Sequence, residues 1–291
     1  GIGILPTRHP ALIKEINSNS WDSWEAFLLK VRASAISLHT GFDDQLLAAI
    51  HLKERWQQVG LIPYEHQIAT VKRVLGELRG RAILADEVGL GKTIEAGMII
   101  KEYLLRGLAK KVLILTPASL CRQWAAELSQ KFSLYPVIAK RDFDWERYDL
   151  IIASIDLAKQ DKHRKIIQNL YYDLLVVDEA HKLKNPATKN WKLVSGIRKK
   201  FFLLLTATPL QNDLKELFNL ISLLKPGQLG SYRKFRKNFM EDKRKAKNAE
   251  ELRSLLGRVM IRNKRGPQIK LPSRKVSTMP IMPSVGAIAL Y

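Results

Sequence analysis

Five short, almost wholly apolar runs recur along the chain at Ala82–Ala85, Val112–Leu115, Leu150–Ala153, Leu174–Val177 and Phe201–Leu205. Runs of this length without polar alternation predict strands buried on both faces. The longer mixed stretches between them predict helices. One runs from Thr93 to Arg106 and stops at Gly107; another opens at Ser119, a good N-cap residue, and reaches Phe132. Strand and helix in alternation specify an α/β fold, a parallel sheet with right-handed crossovers and helices packed on it. That pattern occupies residues 61–224. Residues 1–60 carry helical apolar spacing instead, in Trp21–Ile36 and again in Leu46–Trp56, and predict a helical N-terminal appendage. Residues 225–283 are punctuated by Gly227, Gly230, Gly266, Pro267, Pro272, Pro280 and Pro283, which predicts helices joined by loops rather than more sheet.

Charge narrows the partner. The chain of 291 residues holds 49 Lys or Arg against 28 Asp or Glu, a formal net charge of +21. Between Ser231 and Lys275 there are 16 basic residues and 4 acidic ones, so more than half of the excess sits there. A polyanion is the partner this implies, and nucleic acid is the first candidate. No apolar run approaches the roughly 20 residues that span a bilayer, and the first residues lack a secretory pattern. A single cysteine, Cys121, excludes an internal disulfide and a thiolate zinc site. These features predict a cytoplasmic, nucleoid-associated protein with no membrane partner.

The chemistry-bearing residues stand at the ends of the predicted strands. The run Ala82–Ala85 leads into Asp86, Glu87, Val88, Gly89, Leu90, Gly91, Lys92 and Thr93 and then a helix, the context that a phosphate-binding loop requires. Glycines turn backbone N–H groups inward around phosphate, and the helix start adds partial positive charge. Lys92 is then placed for the β- and γ-phosphates of ATP and the Thr93 hydroxyl for Mg²⁺. Asp86 stands where the general pattern has glycine; aspartate tolerates a left-handed backbone better than most residues. Asp178 and Glu179 follow the run Leu174–Val177, at the carboxyl end of a buried strand where open α/β sheets bind ligands. Two acids there call for a cation, with Asp178 on Mg²⁺ through water and Glu179 polarising the attacking water. His181 and the hydroxyls of Thr206 and Thr208 are candidates for coupling phosphate state to bound nucleic acid. Upstream, the amide of Gln67 is suited to donate to and accept from an adenine edge. Tyr232, Phe235 and Phe239 follow helical spacing among basic residues, which predicts a core-facing stripe.

Taken in order, these segments resemble the first RecA-like lobe of SWI/SNF-type superfamily-two helicase-like ATPases. Pro63-Tyr-Glu-His-Gln67 is similar to that family's adenine motif, Asp86–Thr93 to its phosphate loop, Leu115-Thr116-Pro117 to its next strand-end motif, Asp178-Glu-Ala-His181 to its metal and water site, and Leu205–Asn212 to its coupling motif. The phrase Asp86–Gly97 resembles the bacterial branch that includes the RNA-polymerase-associated ATPase. Ala207 stands where the family more often has glycine. Met260–Arg265 followed by Leu271-Pro272 is similar to the bridge into a second RecA-like lobe, with residues 284–291 as its expected start. The resemblance implies an ATP- and Mg²⁺-dependent ATPase acting on nucleic acid, double-stranded DNA above all, with backbone contacts at Thr116, Pro117, Ser119 and Ser154. It also implies arginine fingers from the second lobe, whose loss costs about 10³ to 10⁵ in turnover in related phosphoryl-transfer enzymes, so low activity is expected of this chain alone. Translocation on duplex DNA is the leading expectation. Strand separation, or recruitment of a protein such as RNA polymerase through the N-terminal helices, are the alternatives.

Overall fold

A period of two sends neighbouring side chains of a strand to opposite faces, so an unbroken apolar run needs helices on both sides. The computed structural model describes residues 45–207, 213–242 and 246–264, and these form such a layered arrangement. Seven strands, β1 (Arg81–Leu84), β2 (Val112–Thr116), β3 (Val137–Ile138), β4 (Leu150–Ser154), β5 (Tyr171–Val177), β6 (Arg198–Leu205) and β7 (Met260–Ile261), form one sheet in the order β3-β4-β2-β5-β6-β1-β7. Every neighbouring pair is parallel. Ala82, Leu84, Ile114, Val176 and Leu203 face one helical layer, built from α1 (Leu47–His51), α2 (Lys53–Gln58), α3 (Glu65–Leu75), α4 (Lys92–Leu105) and α5 (Cys121–Phe132). Ile83, Leu113, Ile151, Leu175 and Leu204, the alternate residues, face the other. That second layer comprises α6 (Asp144–Arg147), α7 (Ile155–Ala158), α8 (Asp161–Asn169), α9 (Lys189–Gly196), α10 (Leu214–Leu224), α11 (Tyr232–Phe239) and α12 (Ala249–Gly257).

Two strands escape the sequence pattern. β3 and β7 have two residues each, too short to display any periodicity, and β7 lies in the region expected to hold only helices and loops. β7 nonetheless extends the sheet beyond β1 through Ile83↔Met260 and Leu84↔Ile261. Ser119 is not the cap of α5. It sits inside a 3₁₀ turn, Ala118–Leu120, and α5 begins after it at Cys121. The aromatic stripe behaves as its spacing requires: Phe235 and Phe239 are buried, Tyr232 packs against the same core, and Arg233, Lys234, Arg236 and Lys237 are exposed.

Residues 46–58 share the core of the first layer. The buried Glu102 carboxylate accepts the N–H groups of Leu47 (3.1 Å) and Ala48 (2.7 Å), which open α1, and pairs with Arg106 at 2.7 Å. Trp56 is buried, and its indole N–H donates to the Lys131 carbonyl at 2.8 Å. The helix expected at 21–36 lies outside the described residues. Among the described residues no helix is long and apolar enough to cross a membrane.

The contact between α4 and α5 depends on Gly97. A Cβ there would collide with the Phe132 ring, which is itself fully buried. Gly97→Val is therefore expected to destabilise the fold by about 1–3 kcal/mol through overpacking, seen as a lower urea midpoint with an unchanged m-value.

Candidate active site

All strands being parallel, their carboxyl ends gather on one edge of the sheet. In space, β1, β6, β5, β2 and β4 stand side by side there, delivering the 85–91 loop, Thr206, Asp178 with Glu179, Thr116 and Ser154 in that order. Residues far apart in sequence thus form one row.

The loop after β1 turns on two glycines in the left-handed region, Gly89 at φ 87° and Gly91 at φ 88°. Gly91 leads directly into α4, so the positive end of that 14-residue helix faces the loop. A Cβ at Gly91 would also strike the Gln67 amide. Val88 and Gly89 are exposed at the rim, whereas Leu90 is buried and anchors the loop. Lys92 folds back over it, donating to the carbonyls of Asp86 (2.6 Å) and Glu87 (3.3 Å). Gln67 is buried beneath: its Oε1 accepts the Tyr64 N–H at 3.0 Å and its Nε2 donates to the Leu90 carbonyl at 2.9 Å. Both ends of the amide engage protein, and each keeps one further hydrogen-bonding position. His66 reaches the same Leu90 carbonyl through Nε2 at 3.2 Å and stacks on Tyr64 with ring centroids 5.6 Å apart.

Asp86 has no left-handed backbone, so its place in the loop has another cause. It is fully buried, and its carboxylate accepts both the backbone N–H (2.8 Å) and the side-chain N–H (2.8 Å) of Asn263. Asn263 also donates to Thr70 Oγ1 at 3.2 Å, and its carbonyl accepts the Glu87 N–H at 3.3 Å. The chain leaving β7 is thereby tied to the phosphate loop. Glu95 lies buried beside this cluster; burial first, then the Asp86 charge, holds its carboxyl well above the ordinary range.

At the end of β5, Asp178 is held on both oxygens: Oδ2 accepts the Trp124 indole N–H (2.8 Å) and Oδ1 the Glu179 N–H (2.8 Å). Burial lifts its carboxyl above the usual range, against the opposing pull of these two donors; Lys92 is close enough to pull the same way. Glu179 adopts φ 51° and is partly exposed, and its Oε2 lies 3.0 Å from His181 Nδ1. A left-handed glutamate is unusual and turns the chain sharply out of the strand.

The remaining positions divide. Thr206 is buried, with its N–H on the Leu84 carbonyl (3.0 Å), which ties the end of β6 to the base of the loop. Thr208 lies outside the described residues. Thr116 is buried with no hydrogen-bond partner for Oγ1 among the described residues. Ser154 caps α7, its Oγ accepting the Leu157 N–H at 3.1 Å. The Pro117 carbonyl accepts the Leu120 N–H at 2.9 Å, and Ser119 is exposed on the turn so formed. Trp124 and Asn263 are site residues that pattern reading passed over. Trp124 reads as one more apolar position on α5, and Asn263 pairs with a residue 177 positions away.

A glycine loop entering a helix after β1, with an Asp-Glu pair two strands away, defines the RecA-like class of P-loop ATPase lobes. The chain belongs to the SNF2-related domain family, whose pattern matches residues 66–291. Among curated proteins it is similar to an uncharacterized ATP-dependent helicase, YqhH, of Bacillus subtilis (strain 168), 45% identical over 276 residues, covering 94% of this chain and 48% of that protein. Among solved structures it is similar to the Sulfolobus solfataricus SWI2/SNF2 ATPase core in complex with dsDNA, with a TM-score of 0.61 and 28% identity over 70% of this chain and 46% of the other. The same core domain described without DNA gives a TM-score of 0.58 and 29% identity, over 70% and 45% of the two chains. The chain thus spans about half the length of these relatives.

Asn263→Ala removes a donor to a buried carboxylate. It is expected to lower stability by about 1.5–3 kcal/mol in chemical denaturation, more than Asn263→Asp would if only packing volume mattered. Asn263→Asp is instead the more damaging of the two, because it sets a second carboxylate against Asp86.

Proposed function

We propose that this chain is the ATP-binding lobe of a motor that couples ATP hydrolysis to movement along double-stranded DNA. The observation that carries the reading is the row at the carboxyl edge of the sheet, which brings Lys92 and the start of α4 to the same side as Asp178 and Glu179. In this reading Lys92 exchanges the Asp86 and Glu87 carbonyls for phosphate oxygens, and the α4 N-terminus receives the rest of the phosphate charge. Thr93 and Asp178 form an oxygen donor set suited to a hard divalent cation, and each Asp178 oxygen keeps lone pairs beyond its one hydrogen bond. Mg²⁺, if bound by Thr93 and Asp178, would supply neutralisation of phosphate charge. Trp124 fixes the orientation of the Asp178 carboxylate. Glu179, freer and more exposed, holds the attacking water, and His181 beside it senses the state of that carboxylate.

Duplex DNA as the track rests on three supports: the net charge of +21, the exposed basic face of α11, and the duplex held by the Sulfolobus relative. Of the described strand-end positions, Ser119 is exposed and open to a DNA backbone, Ser154 keeps its O–H donor while its oxygen caps α7, and Thr116 is buried. Phosphate contacts of this kind position the duplex without reading its sequence. Residues 46–58, locked to α4 and α5, belong to the lobe in this reading, and any protein partner engages the segment before them.

Two variants separate binding from hydrolysis. Lys92→Ala is expected to abolish binding of a fluorescent ATP analogue. Glu179→Gln is expected to retain that binding while DNA-stimulated phosphate release falls by ~10³ or more. Turnover that ignores duplex DNA in a protein carrying this lobe and its second lobe would overturn the motor reading; efficient opening of a forked duplex would replace translocation with strand separation. Ser119→Glu, which sets a negative charge against the DNA backbone, should weaken DNA binding several-fold while leaving nucleotide affinity unchanged.

A further inference from the structure

The amino ends of β1 and β6 carry a second concentration of charge, at the edge of the sheet opposite the phosphate loop. Arg81 opens β1 and Lys199 is the second residue of β6. Both line a pocket of about 270 Å³ with Trp191 and Ser195 of α9 and Ser222 and Leu223 of α10. Arg81 donates to three carbonyls, those of Lys200 (3.1 Å), Leu224 (2.9 Å) and Lys199 (2.9 Å). Lys199 donates to the carbonyls of Val194 (2.8 Å) and Ile197 (2.9 Å) and lies 4.8 Å from the Phe202 ring centroid. All these partners are neutral. Among the described residues neither cation forms an ion pair with a carboxylate.

Two half-buried cations side by side without a counter-ion repel each other. The consequence is visible at Lys199, where burial, and then the Arg81 guanidinium, brings the ammonium down to about 8. Donors remain unused. A guanidinium has five N–H groups and an ammonium three, so each keeps capacity beyond the carbonyls it serves. The Trp191 side chain stands in the pocket wall beside the two cations. Two serine hydroxyls complete the polar wall, and Leu223 lies beside them.

We propose that this pocket is an anion site that takes the phosphoryl group of a small phosphate monoester or of free phosphate, between Arg81 and Lys199 with the Trp191 side chain in the wall beside them. The oxygens of such a group accept from the spare N–H groups of the guanidinium and the ammonium, and its charge neutralises the pair of cations. The apolar part of the wall accommodates the organic body of an ester.

The test uses the Lys92→Ala protein, so that phosphate at the nucleotide loop does not contribute, with ionic strength held constant by NaCl. The indole N–H signals are followed by NMR during titration with inorganic phosphate and, separately, phenyl phosphate; Trp191→Phe identifies the Trp191 signal. The expected result is a saturable shift of that signal, with half-saturation on the order of 1 mM, the range a few charge-assisted hydrogen bonds reach. Tighter binding of phenyl phosphate assigns the site to an ester, equal binding to free phosphate. Lys199→Met should abolish the shift. Ser222→Asp is a second route that does not remove a cation: it places a carboxylate in the pocket, so it should raise the melting temperature and eliminate the phosphate response. A Trp191 signal that stays put, one that moves equally in Lys199→Met, or a Ser222→Asp protein that melts lower and still responds to phosphate would overturn the proposal.

Discussion

Burial of the sheet on both faces is the constraint on which everything else depends. Strands that must be apolar on every residue have no polar face to offer water, so helices cover both sides and each crossover runs over the sheet before the next parallel strand begins. Parallel strands have two inequivalent ends. Since β1, β2, β4, β5 and β6 are apolar almost to their last residue, the polar groups they deliver accumulate just beyond the carboxyl edge. The functional row is therefore a consequence of the core. A strand shortened or slipped by one residue would bury Asp178 or withdraw it from the row, because register and face change together.

Several positions in and around the sheet are fixed by hydrogen bonds to buried or half-buried carboxylates rather than by packing alone. Asp86 holds Asn263, Asp178 holds the Trp124 indole, and Glu102 holds the first turn of α1. A buried carboxylate is costly to leave unpaired, and each of these is satisfied by N–H donors rather than by a single opposing charge, Arg106 at Glu102 being the addition. The Asp86 clamp has a mechanical consequence. The segment that follows β7 is bonded to the same loop whose Asp86 carbonyl accepts from Lys92, so any motion of that loop is felt at Asn263, just beyond β7.

Local structure that needs contiguous residues was legible in the sequence; contacts assembled by tertiary folding were not. The phosphate loop and the Asp178-Glu179 pair announce themselves because a strand end, a turn and a helix start must follow one another in order. The five long strands were legible for the same reason. β3 and β7 were not, since two residues carry no period, and the apolar run Val259–Ile261 that holds β7 is only three residues long between Arg258 and Arg262. Asp86 was visible as a departure from the loop pattern, yet its explanation lies in Asn263, which no local rule connects to it. Ser154 shows the remaining ambiguity: a hydroxyl at a strand end suits a helix cap and a phosphate contact alike, since its oxygen accepts the Leu157 N–H while its O–H remains a donor.

The two edges of the sheet handle negative charge by different means. At the carboxyl edge the 85–91 loop offers backbone N–H groups and a helix start, with Lys92 the cation that reaches across them, a design that lets a large anion come and go without leaving unpaired buried charge behind. At the amino edge the donors are the side chains of Arg81 and Lys199, already anchored on carbonyls of β6, α9 and α10. Anchored donors cannot rearrange cheaply, so an anion there would be held in one place and would brace the starts of β1 and β6 against α10. The first arrangement suits turnover and the second suits retention. β1 joins them: Arg81 begins it, the phosphate loop ends it, and only three residues, all fully buried, lie between Arg81 and Ala85.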